Sequence, residues 1–541
     1  MAVVQPYTVI TAGGLDLVTS RYQLMSMPSV ATELVNFEVD LQGGYRRING
    51  FTRLGGDSAT NPGAASDVLG VIPYGLGVLV CVDTGVYYTE DDGLTWLQVN
   101  KDTTGSGIVE SLMPSTAALP RASQQQAQFT LFTAPVGRTT TTYGSLNIAT
   151  GADSIARFRI EGTGPTRLFY YEEYTGVGPT GGTYIEEHQQ HLCVVDTAVD
   201  PSTVYISATN DDSDFTGSGS NSVTIPDKIT GIKSFRNVLY IFSEHSIYRL
   251  LSINDNVNIR VEQVSENLGC VSGYTIQEFG GDLIFLSSDG FRTIAGTERI
   301  DDVELSSLSR KIQPLVLNIL AQREDLSFTS VVLKNKSQYR MFYAETAVAT
   351  QAQKGIIGTL RTNPQTGQIA IEWSECIGIE ATAIESENDE RGVQVTYHGD
   401  QDGRIFVHDT GNTFNGLPVK YAYKTPDISF EDPGLRKTLH YMLLSVKPEG
   451  DTDIKLKVNY DFSSPLIVQP PLQDVGVINY SSLYGTAIYG TSTYGTSLDP
   501  IKRVNLRGSG TSASFKFSGE DSNPSFTING YYITYVPSDR R

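Results

Sequence analysis

The chain has 541 residues, enough for about two to four domains with sizeable cores. Its 40 basic and 60 acidic side chains leave a formal charge of −20. That argues against gripping nucleic acid through its phosphates, while an acidic wall would let DNA slide past without sticking. Only 18% of residues are charged while Gly (52) and Tyr (29) abound, which fits all-β domains rich in turns and argues against helices and disorder.

The opening, MAVVQPYTVI, has no basic n-region, so no secretory signal is expected. Next, PSVATELVNF (28–37) predicts a short helix with Ser29 as N-cap and Glu33 in the first turn. The most apolar run, VLGVIPYGLGVLVCV (68–82), is too short and too broken by Gly and Pro to span a bilayer. Cys81, Cys193, Cys270 and Cys376 lie far apart, three of them in apolar runs, and are expected as buried free thiols.

YYTEDDGLTWLQV (87–99) has the form T-x-D-x-G-x-T-W, an Asp box. Asp91 can accept backbone amides, Gly93 supplies a turn dihedral, and Trp96 packs behind. All three roles are architectural. A sialidase site would add converging arginines and a Tyr/Glu nucleophile pair, which the sequence does not assemble.

The segment belongs to a loose repeat. GVLVCVDTGVYYTEDDGLTW, NVLYIFSEHSIYRLL, GDLIFLSSDGFRTIAG and GRIFVHDTG each run from a polar or Gly start through apolar residues to a turn, and the first three continue into a second short strand. That is a β-hairpin written over and over. The markers Leu79, Leu192, Leu239, Leu283, Met341 and Ile405 stand 113, 47, 44, 58 and 64 residues apart. Propeller blades run at roughly 40–50 residues. The expected fold is all-β: a β-propeller of about six blades with an inserted β domain and a C-terminal β-sandwich-like domain. Residues 1–104 would hold an N-terminal segment and the first blade. Residues 105–185 would form the inserted β domain or an extra blade, 186–415 the remaining blades, and 416–541 the C-terminal domain.

SSLSRKIQPLVLNILAQRED (306–325) predicts a helix with Leu308, Ile312, Leu315 and Ile319 on one face and a kink or restart at Pro314. In the C-terminal domain, Ile454, Leu456, Val458, Tyr460 and Phe462 alternate with polar residues, as a strand with one wet face does. LYGTAIYGTSTYGTS (483–497) repeats Tyr-Gly-Thr every five residues, a period of neither helix nor strand. It reads as a surface loop offering Tyr484, Tyr489 and Tyr494 to a partner.

Candidate chemistry is sparse. His188 and His191, three apart on one strand, would face opposite ways as exposed strand-end polars. The acidic runs NDDSDF (210–215) and IDDVEL (300–305) lack the EF-hand pattern and read as solvated turns. No phosphate-cradling loop, G-x-S-x-G elbow or zinc spacing is found. No catalytic residue, metal site or cofactor is expected.

The stretch from Gly13 to Leu54 resembles the start of phage tail propellers. The matching positions are Gly13, Gly14, Leu15, then Ala31, Thr32, Glu33, Leu34 and Asn36, then Gly43, Gly44, Arg46 or Arg47, Gly50 and Phe51. The order continues through VYISATNDDSDF and ENLGCVSGYTIQEFGGDLIFLSSDGFRTI to the closing FTINGYYITYVPSDRR with Arg540 and Arg541. The resemblance is to tail nozzle or hub propellers of the tail tubular protein B type. It implies a non-enzymatic virion structural protein, assembled in the host bacterial cytoplasm. Such a protein forms a commonly sixfold ring below the portal and adaptor, through which DNA leaves. Its partners would be copies of itself, the adaptor, and tail fibres or a tip protein, with DNA passing without sequence-specific binding. The alternatives are a host-glycan-binding or glycan-cleaving propeller and a cellular scaffold propeller.

Overall fold

In the computed structural model the described residues are 4–538, apart from 57–58, 64–65, 83–84, 101–106, 110–125, 133–142, 163, 175, 180, 256–257, 296–306, 346–353, 363–368, 389–391 and 477–500. Apolar runs separated by tight turns give antiparallel hairpins, and these stack as blades around one axis. Blade one is Val68–Tyr74, Gly77–Val82, Gly85–Thr89 and Leu97–Gln98. Blade two starts at the axis with Gln128–Phe132 and runs out through Ser145–Ala149, Ala156–Glu161 and Leu168–Glu173 to Ile108–Val109. Blade three is Tyr184–His188 to Asn221–Thr224, and blade four is Ile229–Phe235 to Arg260–Ser265. Blade five, Gln277–Phe279 to Gly290–Thr293, has three strands.

Leu326–Leu333, Gln338–Glu345, Lys354–Thr362 and Ile369–Ile377 form blade six and are the first four strands of a nine-stranded sheet. Blade seven joins Ala383–Asn388, Gln394–Gly399 and Ile405–His408 to Phe51–Arg53, so an early strand closes the ring on a late blade. Six blades are thus self-contained sheets, and the nine-stranded sheet fills the remaining place. The protein is the expected all-β propeller with a C-terminal β-sandwich. The described part of 105–185, expected as an inserted domain or an extra blade, is blade two in the ring. It shares a core with blade one through Leu79, Tyr88, Leu146 and Phe158.

Beyond blade six the nine-stranded sheet continues through Glu33–Val35, Val419–Lys424, Ala513–Asp521, Lys455–Tyr460 and Gln473–Asp474. A second sheet carries Phe37–Val39, Tyr45–Arg47, Phe526–Pro537, Lys437–Pro448 and Ile501–Asn505, with Gln5–Ile10 paired to Phe526–Pro537. Tyr423, Val458 and Phe517 of one sheet and Met442, Ile528 and Ile533 of the other share one core. The N-terminal strands therefore belong mostly to the sandwich, not to the first blade.

The helix expected over 28–37 is not formed. Glu33–Val35 is a strand between Val419–Lys424 and Ile369–Ile377. Asn36 then turns the chain at φ +53°; its Nδ2 donates to Ile377 O (2.8 Å) and Lys420 O (2.7 Å), and its Oδ1 accepts Ile377 N (2.8 Å). Tertiary pairing outweighs the weak helix signal here. A short helix sits earlier, at Arg21–Leu24, capped by Ser20. In the second predicted helix, Arg310–Ile312 is a 3₁₀ turn and the α-helix restarts at Gln313–Ala321. Pro314 lies in the first turn, where its missing N–H removes no helical bond. Cys81, Cys193, Cys270 and Cys376 are all buried free thiols.

Where ring and sandwich meet, Glu38 is almost wholly buried among cations. Its Oε1 accepts Arg46 Nη1 and Lys336 Nζ, both at 2.9 Å, and its Oε2 accepts Arg340 Nη2 at 2.9 Å and Gln338 Nε2 at 3.1 Å. Arg340 Nη1 also donates to His408 Nε2 at 2.9 Å, Lys336 pairs with Asp409 at 2.7 Å, and Arg46 forks onto Glu449. Burial alone would raise the Glu38 carboxyl, but Lys336, Arg340 and Arg46 hold it down at about 2. Removing one partner from such a cluster strands the others in low dielectric.

Glu38→Gln is expected to lower stability by about 3 kcal/mol near neutral pH, read from denaturant unfolding. Because Glu38 titrates lower in the folded chain than its ordinary 4.5, its contribution is complete above that value and drains away toward about pH 2. The variant should lose less on acidification than the wild type. Parallel pH profiles would refute the assignment.

Candidate functional site

The Asp box lies in the turn between the last two strands of blade one. Asp91 Oδ1 accepts Thr95 N at 2.9 Å and Thr89 Oγ1 at 2.8 Å, and Oδ2 accepts Thr95 Oγ1 at 2.5 Å. Burial raises the Asp91 pKa, but the hydrogen bonds from Thr95 and Thr89 together outweigh it and lower the group below its ordinary value. Gly93, at φ +81°, packs so closely on Leu54 that a Cβ would lie 3.0 Å from its Cγ. Trp96 Nε1 donates to Thr60 O at 3.0 Å. The turn's bonds are spent on itself and on the segment leading into blade one. Tyr484, Tyr489 and Tyr494 lie outside the described residues, as do Arg540, Arg541 and the run 300–305.

His188 and His191 are not exposed polars on one strand. They end and begin adjacent strands of blade three, directly paired across a two-residue turn in which Gln189 and Gln190 have φ +48° and +67°. Both are buried. His188 Nδ1 meets Ser234 Oγ at 2.7 Å, and His191 bridges Ser207 O (2.6 Å) and Asn254 Oδ1 (2.9 Å). Burial, with a smaller contribution from His191, depresses His188 to about 4, so it stays neutral near pH 7. Nor is the run 210–215 wholly solvated: Asp212 is buried against Arg157 at 3.1 Å, while Asp211 and Asp214 cap turns through Ser213 and Thr216. Among the described residues no group of three or more His, Cys, Asp or Glu could hold a metal ion.

The hub is the place where the fold gathers polar groups. All seven inner strands line a cavity of about 150 Å³ at the axis, represented by Val71, Phe129, Glu186, Lys233, Gln277 and Glu385 along with Ser330. The walls are stitched blade to blade. Gln128 Oε1 accepts Ile185 N at 3.3 Å, Glu186 Oε1 accepts Ser234 N at 3.1 Å, and Gln277 Nε2 donates to Ser330 O at 3.0 Å. Across the axis, Tyr274 OH of the turn before blade five donates to Gln126 O at 2.8 Å. Gln126 Nε2 donates in turn to Thr382 O, before blade seven, at 2.8 Å. These bonds tie the segments entering blades two, five and seven to one another.

Charge in the hub is held by Lys233, 3.1 Å from Glu186, with Glu385 on the blade-seven wall. The field of Glu186 raises Lys233 despite its enclosure. Glu385 is pushed up to about 7, chiefly by burial, with Lys233 only partly opposing. The sequence reading passed over Glu186, Lys233 and Glu385. Lys233 is the one charge of its strand, while Glu186 and Glu385 each share a strand with a second glutamate, and only the ring brings the three together.

These sheets define the class: a β-propeller fused to a β-sandwich. No family model matches the chain, and no curated protein matches it. Among solved structures it is similar to the extracellular domain of what is described as a hybrid two-component system from B. thetaiotaomicron. Identity is 12% and the TM-score 0.37, over 68% of this chain and 40% of that one, so the chain spans about two fifths of that structure's length. BamB from Moraxella catarrhalis is 11% identical with a TM-score of 0.34, over 75% of this chain and 97% of that one. An ancestral GH74 enzyme is 10% identical with a TM-score of 0.33, over 73% of this chain and 52% of that one. At such identities the likeness is one of fold alone.

Glu385→Gln is expected to stabilise the chain by roughly 1–3 kcal/mol above about pH 8, with the gain vanishing at acid pH. Glu385 titrates higher when folded than its ordinary 4.5, so ionising it weakens the fold as pH rises from there through 7. Thermal melts of both proteins across that range check it. A gain that is independent of pH would refute the placement of its charge.

Proposed function

We propose that the chain is an architectural component of a bacteriophage tail, a ring-forming nozzle or hub subunit of the virion assembled in the host cytoplasm. The observation that supports it most is where the Gly13–Leu54 stretch goes. The residues that resemble tail propellers are the seam between ring and sandwich. Gly14, at φ +66°, lies where a Cβ would sit 2.8 Å from Trp373 N, and its N–H donates to Tyr45 OH at 3.1 Å. Arg47 is fully buried on Asp521 at 2.6 Å, and Phe51 stacks on Phe414 at 5.2 Å in the closing blade. Every polar or bulky group of the motif named here is spent on internal bonding, as a rigid building block requires. Rigid propellers with protected edges pack side by side without open-ended strand addition.

On this reading a DNA conduit would run between copies of the chain, since Tyr274 and Gln126 bond across the hub of a single propeller. A lumen lined by part of the −20 charge would pass DNA without holding it. The partners of this reading are copies of the chain, an adaptor above, and fibres or a tip below.

Native mass spectrometry and negative-stain imaging of the purified chain test the reading. The expected particle is a closed, commonly sixfold ring that forms without added cofactors and grows with concentration or on addition of an adaptor. A strict monomer that binds or hydrolyses sialosides would overturn it in favour of a glycan-directed propeller.

A further inference from the structure

Two surfaces far apart in the fold are complementary in charge and in apolar character. The first is the free end of the sandwich. Among the described residues Gln473–Asp474 ends the nine-stranded sheet and Ile501–Asn505 ends the second sheet, each paired on one side only. Between them lies an open cavity of about 410 Å³ carrying Lys502, Arg503 and Arg507 against a single acid, Asp474. None of these three makes an ion pair with a described residue, and the Arg503 guanidinium lies 4.3 Å from the Tyr441 ring centroid. Beside it Leu466 and Val468 are 93% and 95% exposed, and Leu472 and Ile501 are exposed as well. In a chain of net charge −20, a basic edge with four bare aliphatic side chains is an exception that solubility does not explain.

The second surface is a hollow of about 610 Å³ where blades seven, one and two meet. Its floor is apolar, with Ile72, Leu131, Tyr143 and Tyr397, and its rim carries Glu387 and Asp92, Glu90 being already paired with Arg167. Leu76 and Leu131 are exposed on it. The sandwich grows from blade six, and its free end is five strands beyond that blade. Edge and hollow are therefore different surfaces of one rigid chain.

We propose that the basic, aliphatic edge of one copy docks into the acidic, apolar hollow of the next. The occupant is a second copy because the same chain presents both halves, and a contact between unlike patches is the heterologous kind that closes into a ring. Leu466, Val468 and Ile501 bury against the hollow floor, while Lys502 and Arg507 meet Glu387 and Asp92. This deepens the tail-ring reading and rests on it.

The full-length chain tests it by native mass spectrometry over a concentration series. Lys502→Glu with Arg507→Glu, and separately Glu387→Lys, should each raise the midpoint concentration of assembly about tenfold or more, and combining them should recover much of the loss. These are exposed side chains, so melting temperatures should stay near wild type. Independently, Val468→Cys with Leu76→Cys should give intermolecular disulfides under oxidation, since the four native thiols are buried. Rings that form equally well in every variant and never cross-link would overturn this interface while leaving the tail-ring reading intact. A chain that stays monomeric, with or without an adaptor, would overturn both. If the thiol introduced by Val468→Cys is shielded from a thiol reagent in the monomer, the edge is covered by residues 477–500 of the same chain and the proposal is overturned.

Discussion

The structure depends on one buried carboxylate. Glu38 sits on a three-residue strand of the sandwich, yet its oxygens hold Lys336, Gln338 and Arg340 of blade six, and through Arg340 the cluster reaches His408 of blade seven. An apolar contact at this junction could slide. A carboxylate with four charged or polar donors cannot, because any displacement leaves a desolvated ion without its partner. The two histidines of blade seven fit the same logic. Burial pushes His398 down to about 3 and His408 well below its ordinary value, so His408 can accept from Arg340 without adding positive charge.

From that junction rigidity spreads in two directions by backbone bonding. Outward, the blade-six sheet runs unbroken into the sandwich, with Val35 in parallel register with Glu375. Around the ring, Phe51–Arg53 completes blade seven, so opening the propeller means breaking a strand pairing that links residues more than 350 positions apart, such as Phe51 and His408. Loop closure over such a separation has a large entropic cost when it forms, and the buried ion cluster beside it offsets part of that cost. The N-terminal fifty residues thus act as a strap across elements made much later in the chain.

What the sequence disclosed and what it hid divide along the same line. Hairpins such as Val238–Ser243 with Ile247–Leu251 are local, so the alternation of apolar runs and turns was enough to read a propeller. Pro314 marked its helix boundary because its effect is confined to one turn. The strand at Glu33–Val35 was illegible: its partners are residues 375 and 422–424, and three residues carry no period. His188 and His191 misled for a smaller reason. Gln189 and Gln190 adopt a left-handed turn that Asn or Gly would have announced and Gln does not. The hub charges were hidden by dispersal, one to a blade.

The same dispersal bears on chemistry. A propeller axis collects one short strand from each blade, so a reactive pair can be gathered there from distant sequence. Here the axis brings Glu186, Lys233 and Glu385 together, with Lys233 engaged by Glu186 and Tyr274 bonded across to Gln126. A carboxyl pushed up to about 7 lines this axial cavity of about 150 Å³. A proton on Glu385 relieves a buried charge that Ser386 N–H and Lys233 only partly offset. In this hub Gln128, Glu186 and Gln277 bond the inner strands blade to blade.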